Sequence, residues 1–449
     1  MFDIAIVGGG PGGYVAAIRA AQMGASCVLF EADEVGGVCL NRGCIPTKTF
    51  IRSAQVLNMI KRSRIYGIDI AEVKLDYPRV LERKQNVVKQ LTRGVAGLLK
   101  KNGVTLVRQR AEIVSSSEIK TESETHQVKN IILATGSKPA VPPIPGIEHA
   151  VDSDYVLSMK SLPQSVAIIG GGVIGVEFAT YLASFGVKVT IVEMLPDIIA
   201  AADGDVVSVT AKMLKSLGVV VWTKAKVVSI DAGGLTFQNS EGAEQRLDAE
   251  MVLCASGRSP NTDRDALDKL GIQHVKGAIE TDDHMRTNVE NIYAIGDVNG
   301  KWMLAHTASA EGIVAVENIL GKNSTMRYDL IPQCIYTMPE IAWVGLTEKQ
   351  AKEKSIAYKK GVFPMMANGK SLIEGETAGM VKLLASESGE LIGGHIVCTH
   401  ATDMIAEIVL AIQMKGAAHD VARTIHAHPT VSETVMEAAE ALMGKAIHI

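Results

Sequence analysis

The chain is short of aromatic residues, has no large excess of charge of either sign, and lacks a long uncharged apolar run. Phe, Trp and Tyr together make up 4% of its 449 residues. Lys plus Arg number 45 against 49 Asp plus Glu, a formal charge of −4. That balance leaves no global electrostatic reason to bind nucleic acid or an anionic membrane. The apolar stretch over residues 4–18 is interrupted by Pro11 and a cluster of glycines, whereas a membrane span needs about 20 apolar residues. No basic n-region or cleavage site opens the chain, and Phe2 to Val7 already reads as a strand, so no targeting peptide is expected. Cysteine is scarce, with six residues. At roughly 150 residues per domain the length suggests about three domains, which need no disulfide scaffold. The expected location is the cytoplasm, where paired cysteines more often mean redox or metal chemistry than structural bridges. A hydrophobic share of 47% against 21% charged excludes a disordered chain.

Glycine, by contrast, is abundant at 42 residues, and part of it belongs to an internal repeat. Residues 4–31 align without a gap on residues 166–193, at an offset of 162. Gly8, Gly10 and Gly13 fall on Gly170, Gly172 and Gly175, and Glu31 falls on Glu193. Such a period is too long for a solenoid. Each copy reads strand, glycine turn, Ala-rich helix, strand, carboxylate, the order of a dinucleotide-binding unit. The first glycine allows a tight turn, the second lets a pyrophosphate approach the backbone, and the third lets helix pack on strand. Phosphate then faces a helix N-terminus, and the terminal glutamate stands where a ribose hydroxyl needs an acceptor. A carboxylate at Glu193, with no Arg close behind it, favours NAD over NADP.

Between the copies, residues 47–102 read as helical, a strand-rich piece runs to Thr135, and residues 138–146, with four prolines, read as a linker. Residues 219–254 alternate in strand fashion. From about 326 strands mix with helical patterns at 401–415 and 432–443, with no nucleotide fingerprint.

Cys39 and Cys44 lie five apart in the segment GGVCLNRGCIPTK. On a straight α-helix their Cα atoms would be roughly 8–9 Å apart, and a disulfide wants about 4.4–6.8 Å. A bridge there requires a departure from helix, and Gly43 supplies the freedom. Pro46 suits the first turn of a following helix, whose N-terminus would lower a thiol pKa. Three readings stand: two buried free cysteines, half of a zinc site, or a redox-active dithiol, which the tandem fingerprints favour. A third constellation, HAHPTVSE, holds His426, His428 and Glu433. An imidazole there titrates in the range a dithiol enzyme needs, and Glu433 is placed to hold its other ring nitrogen. A solvated loop and a metal site on His426 and His428 are the competing readings.

These motifs, with the Ala134-Thr135-Gly136 turn and Tyr293-Ala294-Ile295-Gly296-Asp297, resemble those of the pyridine nucleotide–disulfide oxidoreductases over essentially the whole chain. Leu40, Asn41, Ile45 and Pro46 point to the branch that acts on lipoamide. The resemblance implies an α/β fold with two Rossmann-like dinucleotide-binding domains, for FAD and NAD, and a C-terminal α+β dimerisation domain. It divides the chain into residues 1–146 (FAD-binding, first part), 147–265 (NAD-binding), 266–325 (central, FAD-binding, second part) and 326–449 (dimerisation, or interface).

The same resemblance assigns roles. Gly8, Gly10, Gly13, Glu31, Thr135, Gly136, Asp297 and Ala305 are expected at FAD, with Lys48 beside the flavin ring. Gly170, Gly172, Gly175, Glu177, Glu193 and Gly257 are expected at NAD, with Glu177 also pairing with Lys48. Cys39 is the expected interchange thiol and Cys44 the thiolate near the flavin. His428, oriented by Glu433, is the expected acid–base and reaches the other subunit's site. No metal is expected. Implied partners are dihydrolipoamide on a lipoyl carrier protein or domain, the acyltransferase core of a 2-oxo acid dehydrogenase complex or a glycine cleavage system, and a second copy in a homodimer. Arg42, Thr307, Ala310 and the looser Cys254 to Pro260 segment depart from the family pattern. The alternatives are a disulfide or metal-ion reductase, or a subunit whose main task is docking. A glutathione-type reductase would want basic residues after the second fingerprint and a mercuric reductase a terminal cysteine pair, and neither is present.

Overall fold

A computed structural model describes residues 1–449. The chain opens with β1 (Phe2–Val7), α1 (Pro11–Gln22) and β2 (Cys27–Phe30). β1 and β2 run parallel with Ile4 opposite Cys27. Parallel strands are covered on both faces and so read as continuous apolar runs; all four residues of β2 are buried. Next come the cysteine-bearing α2 (Gly37–Arg42) and α3 (Cys44–Lys61), then the long α4 (Tyr77–Lys101). The helical region expected over 47–102 is thus two helices, and Asp76 starts the second by accepting from Arg79 N. β3 (Thr105–Val107), β4 (Glu112–Ser115), β5 (Glu118–Lys120) and β6 (Thr125–Leu133) complete this part.

The chain then passes through β7 (Ser137–Pro139) and α5 (Ser153–Ser158) into β8 (Ser165–Ile169), α6 (Val173–Ser184), β9 (Lys188–Val192), α7 (Gly204–Ser216) and β10 (Val220–Trp222). A meander of β11 (Lys226–Asp231), β12 (Gly234–Gln238) and β13 (Glu244–Asp248) follows, then β14 (Met251–Cys254) and β15 (Arg258–Pro260). The strand order is β3-β2-β1-β6 in the first unit and β10-β9-β8-β14 in the second. The sequence repeat is therefore a structural one: α1 and α6 have 12 residues each and start 162 positions apart. The proline-rich stretch after Gly136 is not a free linker, because β7 pairs antiparallel with β15. The chain enters and leaves the second unit through that pair.

After α8 (Arg264–Lys269), β16 (His274–Val275) and β17 (Ala278–Ile279), β18 (Ile292–Ala294) returns to the first unit and pairs parallel with β6. α9 (Ala305–Ile319) then packs on α1.

The last block contains β19 (Gln333–Ile335), β20 (Glu340–Gly345), α10 (Glu348–Glu353), β21 (Tyr358–Pro364), α11 (Gly369–Glu374), β22 (Met380–Ser386) and β23 (Leu391–Cys398). α12 (Ala401–Gln413), α13 (Ala418–Arg423) and α14 (Glu433–Leu442) finish it. The sheet is antiparallel, in the order β19-β20-β23-β22-β21. α12 and α14 cover it over a core that includes Phe363, Leu383, Ile396, Ile405 and Val435; burying each such side chain contributes about 1.5–3 kcal/mol. No helix is long and apolar enough to cross a membrane.

Candidate active site

The dithiol segment is a broken helix. α2 stops at Gly43, whose φ of −141° and ψ of −109° leave the helical region, and α3 begins at Cys44. The break removes the straight-helix separation that would keep Cys39 and Cys44 apart. Both are free thiols here, and Cys39 donates to Cys44. The hydrogen bond to Cys44, with burial, pushes the Cys39 thiol far up. The same bond holds the Cys44 thiol down against burial, helped by the Lys48 ammonium. Cys44 also stands at the first position of an 18-residue helix, where the helix dipole favours an anion.

Lys48 follows Cys44 by one helical turn, on the same face of α3. Its Nζ lies 2.9 and 2.8 Å from the two oxygens of Glu177 on α6. Glu177, 3% exposed, also accepts from the backbone N of Tyr336 at 2.9 Å. The Tyr336 ring centroid is 4.6 Å from Lys48 Nζ. Three parts of the fold meet at this ammonium, and they hold its pKa above the ordinary lysine value despite burial. Glu177, expected with the NAD-site residues, thus has both oxygens committed to Lys48 and Tyr336.

A continuous cleft of about 3430 Å³ runs from Gly8 and Glu31 past Cys39, Cys44 and Lys48 to Gly170, Glu193 and Gly257. Ligand pockets commonly measure about 300–1,000 Å³, so this one has room for more than one nucleotide. Gly10, Thr135, Gly136, Gly172, Glu177, Asp297 and Ala305 also line it. Gly13 and Gly175 do not; each lies beneath its turn, where a Cβ would stand 1.8 Å from Gly8 O or 2.0 Å from Gly170 O. Gly8 and Gly170 take φ of +109° and +103°, a conformation that favours glycine. Gly10 and Gly172 stand at the N-caps of α1 and α6 and offer no side-chain cap, so the N–H groups of each first turn, Pro11 having none, are free for phosphate oxygens. The residues present fit a dinucleotide at each turn.

The two glutamates are held alike. Glu31 accepts from Gly9 N at 2.7 Å and Asp33 N at 2.8 Å. Glu193 accepts from Gly171 N and Leu195 N, both at 2.6 Å. The main chain thereby fixes each carboxylate at the end of its second strand, with a further lone pair on each oxygen for a ribose hydroxyl. Asp297 accepts from the Ser137 hydroxyl, and burial raises its pKa. Arg258 Nε donates to the same hydroxyl at 2.7 Å and Nη2 to Ser137 O at 2.8 Å. Neither Ser137 nor Arg258 stood out as a site residue in the sequence. Among the positions that depart from the family pattern, Arg42 lines the cleft, pairs with Asp33 and lies 3.9 Å from Asp154.

His428 Nδ1 lies 2.8 Å from Glu433 Oε1, and Glu433 Oε2 accepts from Thr430 N at 2.8 Å. Burial pushes the Glu433 carboxyl up, but Thr430 and His428 outweigh it and hold it below its ordinary value. The imidazole is 78% exposed and does not line the cleft that holds Cys39. His426 faces inward instead: its Nε2 meets Glu407 at 2.9 Å and its Nδ1 meets Thr424 O at 2.8 Å. Both of its nitrogens are engaged, so it is not placed to share a metal with His428.

The family model for pyridine nucleotide-disulphide oxidoreductases matches residues 2–312, and that for their dimerisation domain matches residues 331–439. The chain belongs to the pyridine nucleotide-disulphide oxidoreductases. Among its relatives in this family, it is 42% identical to the dihydrolipoyl dehydrogenase of Geobacillus stearothermophilus, over 99% of this chain and 97% of that one. It is 40% identical to the mitochondrial dihydrolipoyl dehydrogenase 1 of Arabidopsis thaliana, over 100% of this chain and 91% of that one. Among solved structures it resembles LpdA of Mycobacterium tuberculosis, with a TM-score of 0.91 and 27% identity, covering 99% of this chain and 100% of that one. It also resembles RclA, an HOCl-induced flavoprotein disulfide reductase of Escherichia coli, with a TM-score of 0.86 and 27% identity, covering 98% and 99%.

Proposed function

We propose that the chain is a dihydrolipoyl dehydrogenase, which oxidises dihydrolipoamide on a lipoyl carrier and reduces NAD to NADH, with FAD between. The observation that carries this reading is Cys44 at the head of α3, hydrogen-bonded by Cys39 and one turn from the Lys48–Glu177 pair. Gly8, Gly10, Gly13, Glu31, Thr135, Gly136, Asp297 and Ala305 hold FAD, with Lys48 beside the ring. Gly170, Gly172, Gly175, Glu193 and Gly257 hold NAD. When bound, the flavin carries the electron pair from the dithiol to NAD. Residues 1–146 and 266–325 make up the FAD-binding part, 147–265 the NAD-binding part and 326–449 the dimerisation part.

In the oxidised enzyme Cys39 and Cys44 are joined. The first substrate thiol gives its proton to His428 Nε2, which passes it to solvent, and the resulting thiolate attacks Cys39 Sγ; the Cys39–Cys44 bond breaks, and Cys44 leaves as a thiolate. Lys48 and the start of α3 stabilise that charge. The second substrate thiol gives its proton to His428 Nε2 and attacks the sulfur bonded to Cys39, closing the lipoamide disulfide, and His428 passes that proton to the departing Cys39 sulfur, releasing it as a thiol. Glu433, on Nδ1, keeps Nε2 as the proton acceptor. The sum is dihydrolipoamide and NAD⁺ to lipoamide, NADH and a proton. His428 serves the cleft of a second copy, which makes the working unit a homodimer; its exposure and its distance from its own cleft support this. A carrier-borne substrate implies docking to an acyltransferase core. The free thiols of Cys27, Cys254, Cys334 and Cys398 suit the reducing cytoplasm.

The likeness to RclA favours, as a second reading, a disulfide or metal-ion acceptor in place of lipoamide. One anaerobic experiment tests both. Dihydrolipoamide added to the FAD-replete protein should produce a long-wavelength thiolate–flavin absorbance, and NAD should then yield NADH. A bound flavin that dihydrolipoamide leaves oxidised would sink the lipoamide reading and move the search to other acceptors.

A further inference from the structure

Lys382 sits within β22, has no exposed surface, and reaches from the C-terminal sheet into the second dinucleotide unit. Its Nζ donates to Asp203 Oδ1, and to Asp205 Oδ2 and Glu348 Oε1 at 2.8 Å each. The three carboxylates are close enough together to hold a cation, and the ammonium fills that place. Asp203 is 3% exposed. It caps α7 by accepting from Asp205 N at 3.2 Å, and its other oxygen accepts from Glu348 N at 2.9 Å. Tyr358 and Lys360 donate to Glu348 from the neighbouring strand.

Asp203 also ends a segment, residues 194–202, that starts at Glu193 and lies over the second glycine turn. Leu195 N donates to Glu193 Oε1 at 2.6 Å, Ile199 N to Gly171 O at 2.8 Å, and Ala202 N to Ile199 O at 2.8 Å. There is no slack between the segment and the turn, since a Cβ at Gly171 would lie 2.6 Å from Ile198 Cγ2. Ile199 takes φ of +41°, which a β-branched residue avoids. Such a conformation persists only where the surroundings over-determine it, and the segment is anchored at Glu193 on one side and at the Lys382 cluster on the other.

We propose that Lys382 is a positioning residue for NAD: by clamping Asp203 it holds segment 194–202, and with it Gly171 and Glu193, in the nucleotide-binding arrangement. The C-terminal domain thereby sets the affinity of the NAD site. The inference rests on the NAD reading of the second turn.

The test uses FAD-replete enzyme carrying Lys382→Met, with Lys382→Arg as the conservative variant. Calorimetry with ADP-ribose, which contains the pyrophosphate but cannot exchange electrons, reads the site directly. Lys382→Met should weaken ADP-ribose binding and raise the KM for NAD about tenfold, the scale of one lost hydrogen bond. Reduction of the flavin by dihydrolipoamide should keep its wild-type rate, and Lys382→Arg should recover most of the affinity. Wild-type ADP-ribose affinity in folded Lys382→Met, or an equal fall in flavin reduction, would overturn the proposal. Should Lys382→Met not fold, Glu348→Gln, which removes one of the three carboxylate charges, is judged by the same two readouts and should show a smaller loss of the same kind. Failure of the unaltered chain to bind ADP-ribose would overturn the NAD reading itself and this inference with it.

Discussion

Lys48 Nζ lies 2.9 and 2.8 Å from the carboxylate oxygens of Glu177 and so ties the helix that begins with Cys44 to the helix that begins at the second glycine turn. One ion pair thus links the dithiol-bearing helix to the unit built on the second glycine turn. It is also largely withdrawn from water, with side-chain exposures of 28% for Lys48 and 4% for Glu177.

Glu177→Ala should leave the Lys48 ammonium without its counter-charge. Burial alone then lowers its pKa, so Lys48 loses its proton at lower pH than in the wild type and stops stabilising the Cys44 thiolate. The alkaline limb of the turnover profile should move to lower pH, and turnover at neutral pH should fall about 10²-fold as the pair loses its geometry. A pH–rate profile checks both.

The largest influence that lowers the Cys44 pKa is the hydrogen bond from Cys39. Cys39→Ala should therefore raise the pH at which Cys44 becomes a thiolate, because burial then outweighs the Lys48 ammonium. Spectrophotometric titration of the flavin-bound variant reads the midpoint. A midpoint at or below that of the reduced wild type would contradict the assignment.

His428 is the proton acceptor under this mechanism, so His428→Gln should slow dihydrolipoamide oxidation about 10²- to 10⁴-fold. Electron flow from NADH to an artificial one-electron acceptor, which bypasses the dithiol, should be unchanged. Since His428 lies away from its own cleft, the defect should be complementable. Mixed and re-associated Cys39→Ser and His428→Gln chains should regain about a quarter of wild-type activity, because half of the dimers are mixed and each has one intact site. No recovery would place His428 and Cys39 in one chain's site.

Glu193→Ala should remove the carboxylate that disfavours a 2′-phosphate and release the N–H groups of Gly171 and Leu195. The KM for NAD should rise and the preference for NAD over NADP should narrow about tenfold, the scale of one charge-assisted hydrogen bond. Steady-state kinetics with both nucleotides measures this.

Much of the site was legible because its parts are contiguous in the chain. A strand, a glycine turn, a helix and a glutamate within 28 residues, repeated at an offset of 162, determine two matching turns by local geometry alone. The break between Cys39 and Cys44 follows from Gly43, and the His428–Glu433 contact spans a single turn of chain. The sequence also carried the α+β character of the last block, with its two helices at 401–415 and 432–443 displaced by no more than two residues.

What only the tertiary structure decided is which distant side chains meet. Glu177 lies 129 residues from Lys48, a pairing expected only from the family resemblance, and Lys382 lies 179 from Asp203. Asp297 reaches Ser137 across 160 residues. None of these pairs shares a helix face or a strand register, so no periodicity announces them; they form where separately folded units pack and bury their charges together. The separation of His428 from its own dithiol cleft is likewise a property of packing. A histidine followed by proline reads the same whether it faces its own dithiol or that of a second copy.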